Sequence, residues 1–513
     1  MEEANKRIIK NTLYLYVRSF MMVIIGLFSS RVILQALGIE DYGLYGAIGS
    51  IVSMFVIING VLTAGSSRFL TFEIGQGNAE RLAMTFSASF TLHLSLAFIL
   101  FAALETIGLW FLNAKMAIPD GRLFAANIVY QLSILDCMLS LTQVPYGAII
   151  TAHERMNIVA WVGLLEAIFK LALIFILLYI PFADNLIAYA LIITFWSIGL
   201  QMWYRFYCVR HFPECRLRIV RNKDIYKGML SYSIWDFIGQ FCATGNTQGV
   251  NILINIFFGV TVNAARAVAY QVENTIAQFV NNFMVAVQPQ IIKSYAQNDL
   301  KHFFQLIFNS GKYSYFLLFL FSLPIFLEAD YILSLWLVEV PNQAPLFLRW
   351  VIIIALANTI IRPVINGVHA TGDVKTLNLT SGVYASLTFL PVIYLLYKLG
   401  QPAWYCFVVE LVNCVICSVL RIRALYKNVR FNILDFVLKV YVQSVGISLI
   451  ASIVPVVVVI TMETGFARLI ITCISSFFLT SLCIYHFGLF SYQRASVKAL
   501  IKEKVLNITS RKS

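Results

Sequence analysis

Fourteen long apolar runs dominate this chain, at residues 12–35, 43–64, 83–112, 124–150, 157–181, 186–206, 230–257, 264–288, 311–327, 347–369, 377–397, 402–422, 435–460 and 466–488. As a helix, each is about long enough to cross ~30 Å of hydrocarbon. A barrel strand needs only about 10 alternating residues, so continuous runs of this length predict helices even in a chain with 40 Phe and 25 Tyr. Composition agrees: 60% of the 513 residues are hydrophobic, 12% are charged and the mean hydropathy is +0.80. Soluble domains carry about 25% charged residues. The expected class is therefore all-α integral membrane, with about 14 transmembrane helices.

The formal charge of +13 raises the question of nucleic acid, which the placement of the cations answers. Counted from a cytoplasmic N-terminus, 27 of the 38 Lys and Arg fall in inner loops and tails, 5 in outer loops and 6 within spans. This alternation sets orientation by the positive-inside rule, with both termini cytoplasmic, and leaves no nucleic-acid surface. Lys6, Arg7 and Lys10 precede the first run as in a signal peptide. That run is too long for one and lacks a small-residue cleavage site, so it reads as an uncleaved first helix. Nine cysteines scattered through apolar segments give no disulfide framework. Cys414 and Cys417 form a C-x-x-C inside a predicted helix, with no further thiol or His cluster, and suit packing. No metal site and no cofactor are expected.

A basic loop at 207–228 divides the chain into 1–206, a first lobe of six helices, and 229–424, a second lobe of six. Two further helices lie in 425–490 and a basic cytoplasmic tail in 491–513. An internal repeat supports the division. Ala36-Leu37-Gly38 corresponds to Phe257-Phe258-Gly259, and Gln76-Gly77-Asn78 to Gln297-Asn298-Asp299, both offset by 221; Pro145 and Ala152 recur as Pro363 and Ala370, offset by 218. Both lobes start inside, so the repeats are parallel, with a pseudo-two-fold axis along the membrane normal.

Leu37-Gly38-Ile39-Glu40-Asp41-Tyr42-Gly43-Leu44-Tyr45, Arg68 with Gln76-Gly77-Asn78, and Pro145-Tyr146-Gly147 with Ala152-His153-Glu154-Arg155 carry a resemblance. The chain resembles the polysaccharide, or Wzx-type, flippases of the MATE-like multidrug/oligosaccharidyl-lipid/polysaccharide exporter superfamily, over essentially its whole length. The resemblance implies two six-helix lobes around a central cleft whose opening alternates between cytoplasm and exterior. Drug-exporting relatives usually have 12 helices and lipid-linked sugar flippases commonly 14, so the two extra helices favour the latter.

Charges inside a bilayer are costly and mark places to look for function. In the first helix Arg18 and Arg31 lie ~140° apart in direction and ~20 Å apart in height, too far for one site. They suit two depths of a diphosphate route, or interfacial snorkelling. In the seventh helix Asp236, Gln240, Thr244, Thr247, Asn251 and Asn255 follow at steps of 4, 4, 3, 4 and 4, a continuous polar stripe. The eighth repeats the pattern with Tyr270, Asn274, Gln278 and Asn281, and adds Arg266 and Glu273 near its outer end. Rows of amides and hydroxyls suit a path for sugar hydroxyls, or interhelical hydrogen bonding. Arg362 lies beside Pro363 in the tenth helix, and Asp136 shares the fourth with Pro145; prolines at equivalent places suit broken, gating helices. Asp136 and Asp236 are candidates for proton or sodium coupling. Glu166 with Lys170, and Asp435 with Lys439, are acid–base pairs four apart that can neutralise locally. Glu410 stands alone in its helix.

The resemblance implies a flippase for undecaprenyl-diphosphate-linked oligosaccharide in the bacterial inner membrane, serving capsule or O-antigen assembly. Its partners would be the lipid-linked oligosaccharide, membrane lipid and the polysaccharide polymerase machinery. The alternative is a cation-coupled drug exporter of the MATE type. A polymerase or glycosyltransferase is less favoured, because such enzymes need a catalytic surface at one face. Here the longest outer loop, 328–346, has Glu328, Asp330 and Glu339 but no His and no metal-ligand spacing. No P-loop is present.

Overall fold

The computed structural model describes residues 2–114, 116, 118, 121–179, 184–337, 339–488 and 494; for many of residues 2–61 the backbone alone is described. Apart from Arg494, the basic tail at 491–513 lies outside the described residues. Among them the backbone is helical almost throughout, with no strand.

Helix α1 (Glu2–Gln76) contains the first two apolar runs and breaks at Gly38, whose φ of 77° is readily accessible only without a Cβ. Helix α2 (Ala79–Ala103) starts on Asn78, whose side chain accepts from the Arg81 backbone N–H, with Glu80 in its first turn. A π-helical turn, Leu104–Gly108, joins it to α3 (Leu109–Ala114). The cause is an inserted side chain: the Tyr130 hydroxyl donates to the Leu104 carbonyl at 2.7 Å, and a Cβ on Gly108 would lie 2.0 Å from that oxygen. Helices α4 (Leu123–Ala152), α5 (Met156–Tyr179) and α6 (Asn185–His211) complete the first half. The Asp184 carboxylate caps α6 by accepting from Leu186 and Ile187 at 2.9 and 3.2 Å.

After the basic loop come α7 (Lys223–Phe258), α8 (Val260–Ala296), α9 (Leu300–Leu327), α10 (Ala329–Trp336) and α11 (Ala344–Thr371). Helices α12 (Val374–Leu377) and α13 (Tyr384–Lys398) are joined by a second π turn, α14 (Tyr405–Asn428) follows, and a third π turn joins α15 (Ile433–Phe436) to α16 (Gln443–Thr461). The last helix is α17 (Phe466–Cys483), which ends in a fourth π turn, Ile484–Gly488. Among the described residues nine helical stretches are long and apolar enough to cross a membrane, by length and composition. The chain is thus a multi-pass membrane protein. Helices α7 and α8 fall outside that count because their Asn and Gln rows lower the mean hydropathy.

The chain divides into two compact units. The first comprises Met1–Gln240, Val285–Phe303 and His369–Lys375; the second comprises Phe241–Met284, Phe304–Val368 and Thr376–Ser513. The core of the first holds Ile48, Leu104, Leu112, Tyr130 and Leu186, with another cluster around Phe86, Tyr146 and Ile149. That of the second holds Ile254, Leu333, Phe347, Ile393 and Phe407. Within the second unit the last two long helices are tied to α9. Arg468 of α17 grips buried Glu328 with two bonds, at 2.8 and 2.7 Å, and Thr472 adds a third at 3.3 Å. Where the fourth π turn frees carbonyls, Gln443 donates to Phe487 at 2.7 Å.

Candidate functional site

A charged side chain at the centre of a bilayer costs roughly 2.5–3.5 kcal/mol on insertion scales, so it needs a partner or water. In the second unit such residues from three helices meet. The Tyr270 hydroxyl on α8 donates to the Glu410 carboxylate on α14, with 3.2 and 3.0 Å to its two oxygens. One turn earlier, Arg266 stands 4.6 Å from the centre of the Tyr270 ring and donates to the Asn251 side-chain oxygen on α7. Arg266 is only 4% exposed, so these contacts replace its water. On α11, Arg362 donates to Asn281 Oδ1 of α8 and lies in the electrostatic field of Glu273.

A cavity of about 260 Å³ opens beside these groups. Its polar lining is Tyr270, Glu273, Asn358, Thr359, Arg362, Glu410 and Arg421; its apolar lining includes Ala277, Val280, Val351, Ile354 and Ile365. Helix α8 builds one wall because Tyr270, Glu273, Ala277 and Val280 follow at steps of 3, 4 and 3, which is a single face. Two carboxylates stand against two guanidiniums in the lining. The wall therefore offers fixed donors and acceptors with no excess of either formal charge.

Of the residues singled out in the sequence, Tyr270, Glu273 and Arg362 line this cavity, and Asn251, Arg266 and Asn281 join its network. Asn274 and Gln278 lie on a different face of α8 and are exposed, as are Gln240, Thr244 and Thr247 along α7, where Thr247 also donates to the Ala243 carbonyl at 3.1 Å. Arg18 belongs to the first unit, its Nε buried without a hydrogen-bond partner among the described residues; a Cβ on Gly163 would lie 2.4 Å from it, so α5 makes room for the guanidinium there. Asp136 lies near Ser197 and Lys170. Asp236 is 4% exposed, one turn after Tyr232, and its Oδ2 has no partner among the described residues. No hydrogen bond or ion pair joins Arg18, Asp136 and Asp236 to one another among the described residues. The Arg31 side chain lies outside the described residues. Asp435 and Lys439 pair at 3.0 Å. Among the described residues, no group of three metal-binding side chains occurs.

Glu410, for which the sequence offered no role beyond a cavity contact, also lines the cavity. The available signal was the lone intramembrane carboxylate itself; its partner Tyr270 lies 140 residues away.

The fold is shared with MATE transporters. A mutant of the Vibrio cholerae MATE transporter VcmN superposes with a TM-score of 0.70 at 16% identity, over 85% of this chain and 99% of that one. A mutant described simply as MATE gives 0.69 at 13% identity, over 83% and 97%. An outward-facing multidrug-resistance MATE family transporter of the MOP superfamily gives 0.68 at 12%, over 83% and 95%. No curated protein matches the sequence. The class is thus a MATE-fold, multi-pass membrane protein. Within it, the family model described as "Polysaccharide biosynthesis protein" matches residues 8–295, more than half the chain. The chain belongs to that polysaccharide biosynthesis family.

Proposed function

We propose that this protein is a flippase that moves undecaprenyl-diphosphate-linked oligosaccharide repeat units from the cytoplasmic to the outer leaflet of the bacterial inner membrane. The observation that carries the reading is the charge-balanced cavity among helices α8, α11 and α14 of the second unit. A row of neutral polar groups with paired Arg and Glu suits sugar hydroxyls, which both donate and accept, and the Arg fork suits phosphate. At about 260 Å³ the cavity is smaller than the roughly 300–1,000 Å³ of ordinary ligand sites, so it holds one part of a headgroup at a time. Membership in a polysaccharide biosynthesis family supports the substrate class. In this reading the halves 1–206 and 229–424 act as two lobes working by alternating access, with no cofactor, and the polymerase machinery receives the product. Arg18 and Asp136 of the first lobe and Asp236 of the second are left as contacts or ion-coupling groups.

A cation-coupled drug exporter is the second reading, favoured by the fold it shares with MATE transporters. The two are separated by following the lipid-linked intermediate in a deletion strain with a membrane-impermeant glycosidase. Cytoplasmic accumulation is expected; normal outer-leaflet exposure rejects the flippase. In the complemented strain, Glu410→Ala is expected to reduce outer-leaflet exposure by at least tenfold. It leaves Arg266 buried without a neighbouring carboxylate, and breaking a buried charge network costs about 3–5 kcal/mol.

A further inference from the structure

Arg68, Gln76 and Glu154 carry the family resemblance, yet none lines the cavity. They gather instead within the first unit, where they hold the ends of second-half helices. Arg68 caps α11: its Nε donates to the His369 carbonyl at 3.2 Å and its Nη2 to the Ala370 carbonyl at 3.0 Å. These lie in the last turn, at the negative end of the helix dipole, where a cation is favoured. Gln76 donates to the carbonyl of Ala296, the final residue of α8. Glu154, on the turn between α4 and α5, pairs with Lys293 of α8 and accepts from Gln290 at 2.5 Å. It holds a positive φ of 59°, uncommon outside glycine, while Asn11 donates to its carbonyl at 3.1 Å.

Glycines let these helices close on one another. A Cβ on Gly75 would lie 2.7 Å from that of Ala296 and 3.2 Å from Lys293 Cα, and one on Gly65 would lie 3.0 Å from Ser233 Oγ on α7. Behind them lie a buried cluster of Leu15, Met156 and Ala286 and two aromatic pairs, Phe69 with Tyr232 and Phe72 with Tyr295. Contacts that cap carbonyls with side chains can be exchanged for water at small net cost.

We propose that this cluster is a cytoplasmic latch. Arg68, Gln76 and Glu154 hold the ends of α8 and α11 against α1, and the latch must part each time a headgroup enters from the cytoplasm. The proposal takes its direction from the transport reading above, and the test keeps the two apart. Ser294 on α8 is 4% exposed beside Lys293, so Ser294→Cys reports opening. Its labelling by a membrane-impermeant maleimide is followed in inside-out vesicles holding the full chain, as the difference from the chain without that cysteine.

Arg68→Ala and Glu154→Gln should each speed labelling on the order of tenfold, the factor set by loss of one charge-assisted contact. Glu154→Lys combined with Lys293→Glu should return it toward the unmodified rate. Gly75→Leu, which wedges α1 from α8 without touching a charge, should also speed it. If all three single variants label at the unmodified rate while the protein remains monodisperse, the latch is wrong whatever the chain transports. Equal acceleration by Arg122→Ala, on the opposite side of the first unit, would show general loosening and overturn it as well. Faster labelling with undiminished outer-leaflet exposure of the lipid-linked sugar would keep the latch and reject the flippase.

Discussion

The two ends of the first unit use the same chemistry to different effect. At the end away from the basic loops, Arg122 takes Asp41 and, at 2.6 Å, Asp184. All three belong to the first half, so this clasp ties the α1 kink to the starts of α4 and α6. At the basic-loop end, Arg68 and Glu154 reach partners 301, 302, 136 and 139 residues away, on second-half helices. One clasp closes a bundle on itself; the other joins segments that the chain brings in from its second half. The comparison teaches that motif residues of one family can serve two tasks, holding a bundle in shape at one end and making a separable junction at the other.

Two glycines give the sharpest contrast. Gly372 has φ 87°, and a Cβ there would lie 2.9 Å from Arg68 Nη2; Gly38 has φ 77° but meets nothing within 4 Å. Gly372→Leu is expected to combine backbone strain with displacement of Arg68, and to speed labelling of Ser294→Cys at least as much as Arg68→Ala. Gly38→Leu should cost only the strain, about 1–3 kcal/mol, and leave labelling unchanged. Equal labelling in the two would erase the distinction between the ends.

A smaller effect is expected from Arg122→Ala, which leaves Asp41 and Asp184 facing each other at a half-buried site. Thermal unfolding of the purified chain should shift down by a few degrees, for a loss of about 1–3 kcal/mol, with labelling at Ser294→Cys unaltered. The smallest effect concerns the basic loop. Burial pushes the Glu214 carboxyl up, but the hydrogen bond from His153, at 2.6 Å, together with its own backbone N–H outweighs burial and holds it below the usual carboxylate range. A depressed folded value stabilises above the unfolded value of about 4, and the contribution is lost as pH falls through the depressed value. Thermal stability measured across acid pH should fall less steeply in His153→Ala than in the unmodified chain; parallel curves would remove Glu214 from this account.

Arg68, Gln76 and Glu154 were legible in the sequence as family markers but not as contacts, because hydropathy and helical spacing describe neighbours along the chain and their partners lie more than a hundred residues away. The amide rows were visible as stripes, yet the cavity wall of α8 runs through Tyr270, Glu273 and Ala277, while Asn274 and Gln278 of the expected row are exposed on another face. Periodicity says which residues share a face; it does not say which face meets another helix.

What the sequence determined by itself is the class: apolar run length and the alternation of basic loops demand an all-helical membrane chain, because the cost of exposing backbone or charge to lipid is paid locally, residue by residue. What only the tertiary structure decided is pairing. That Glu410 answers Tyr270, that Arg266 answers Asn251, and that Arg68 caps α11 depend on which helix ends and faces are brought within about 3 Å of one another, the range over which a hydrogen bond acts.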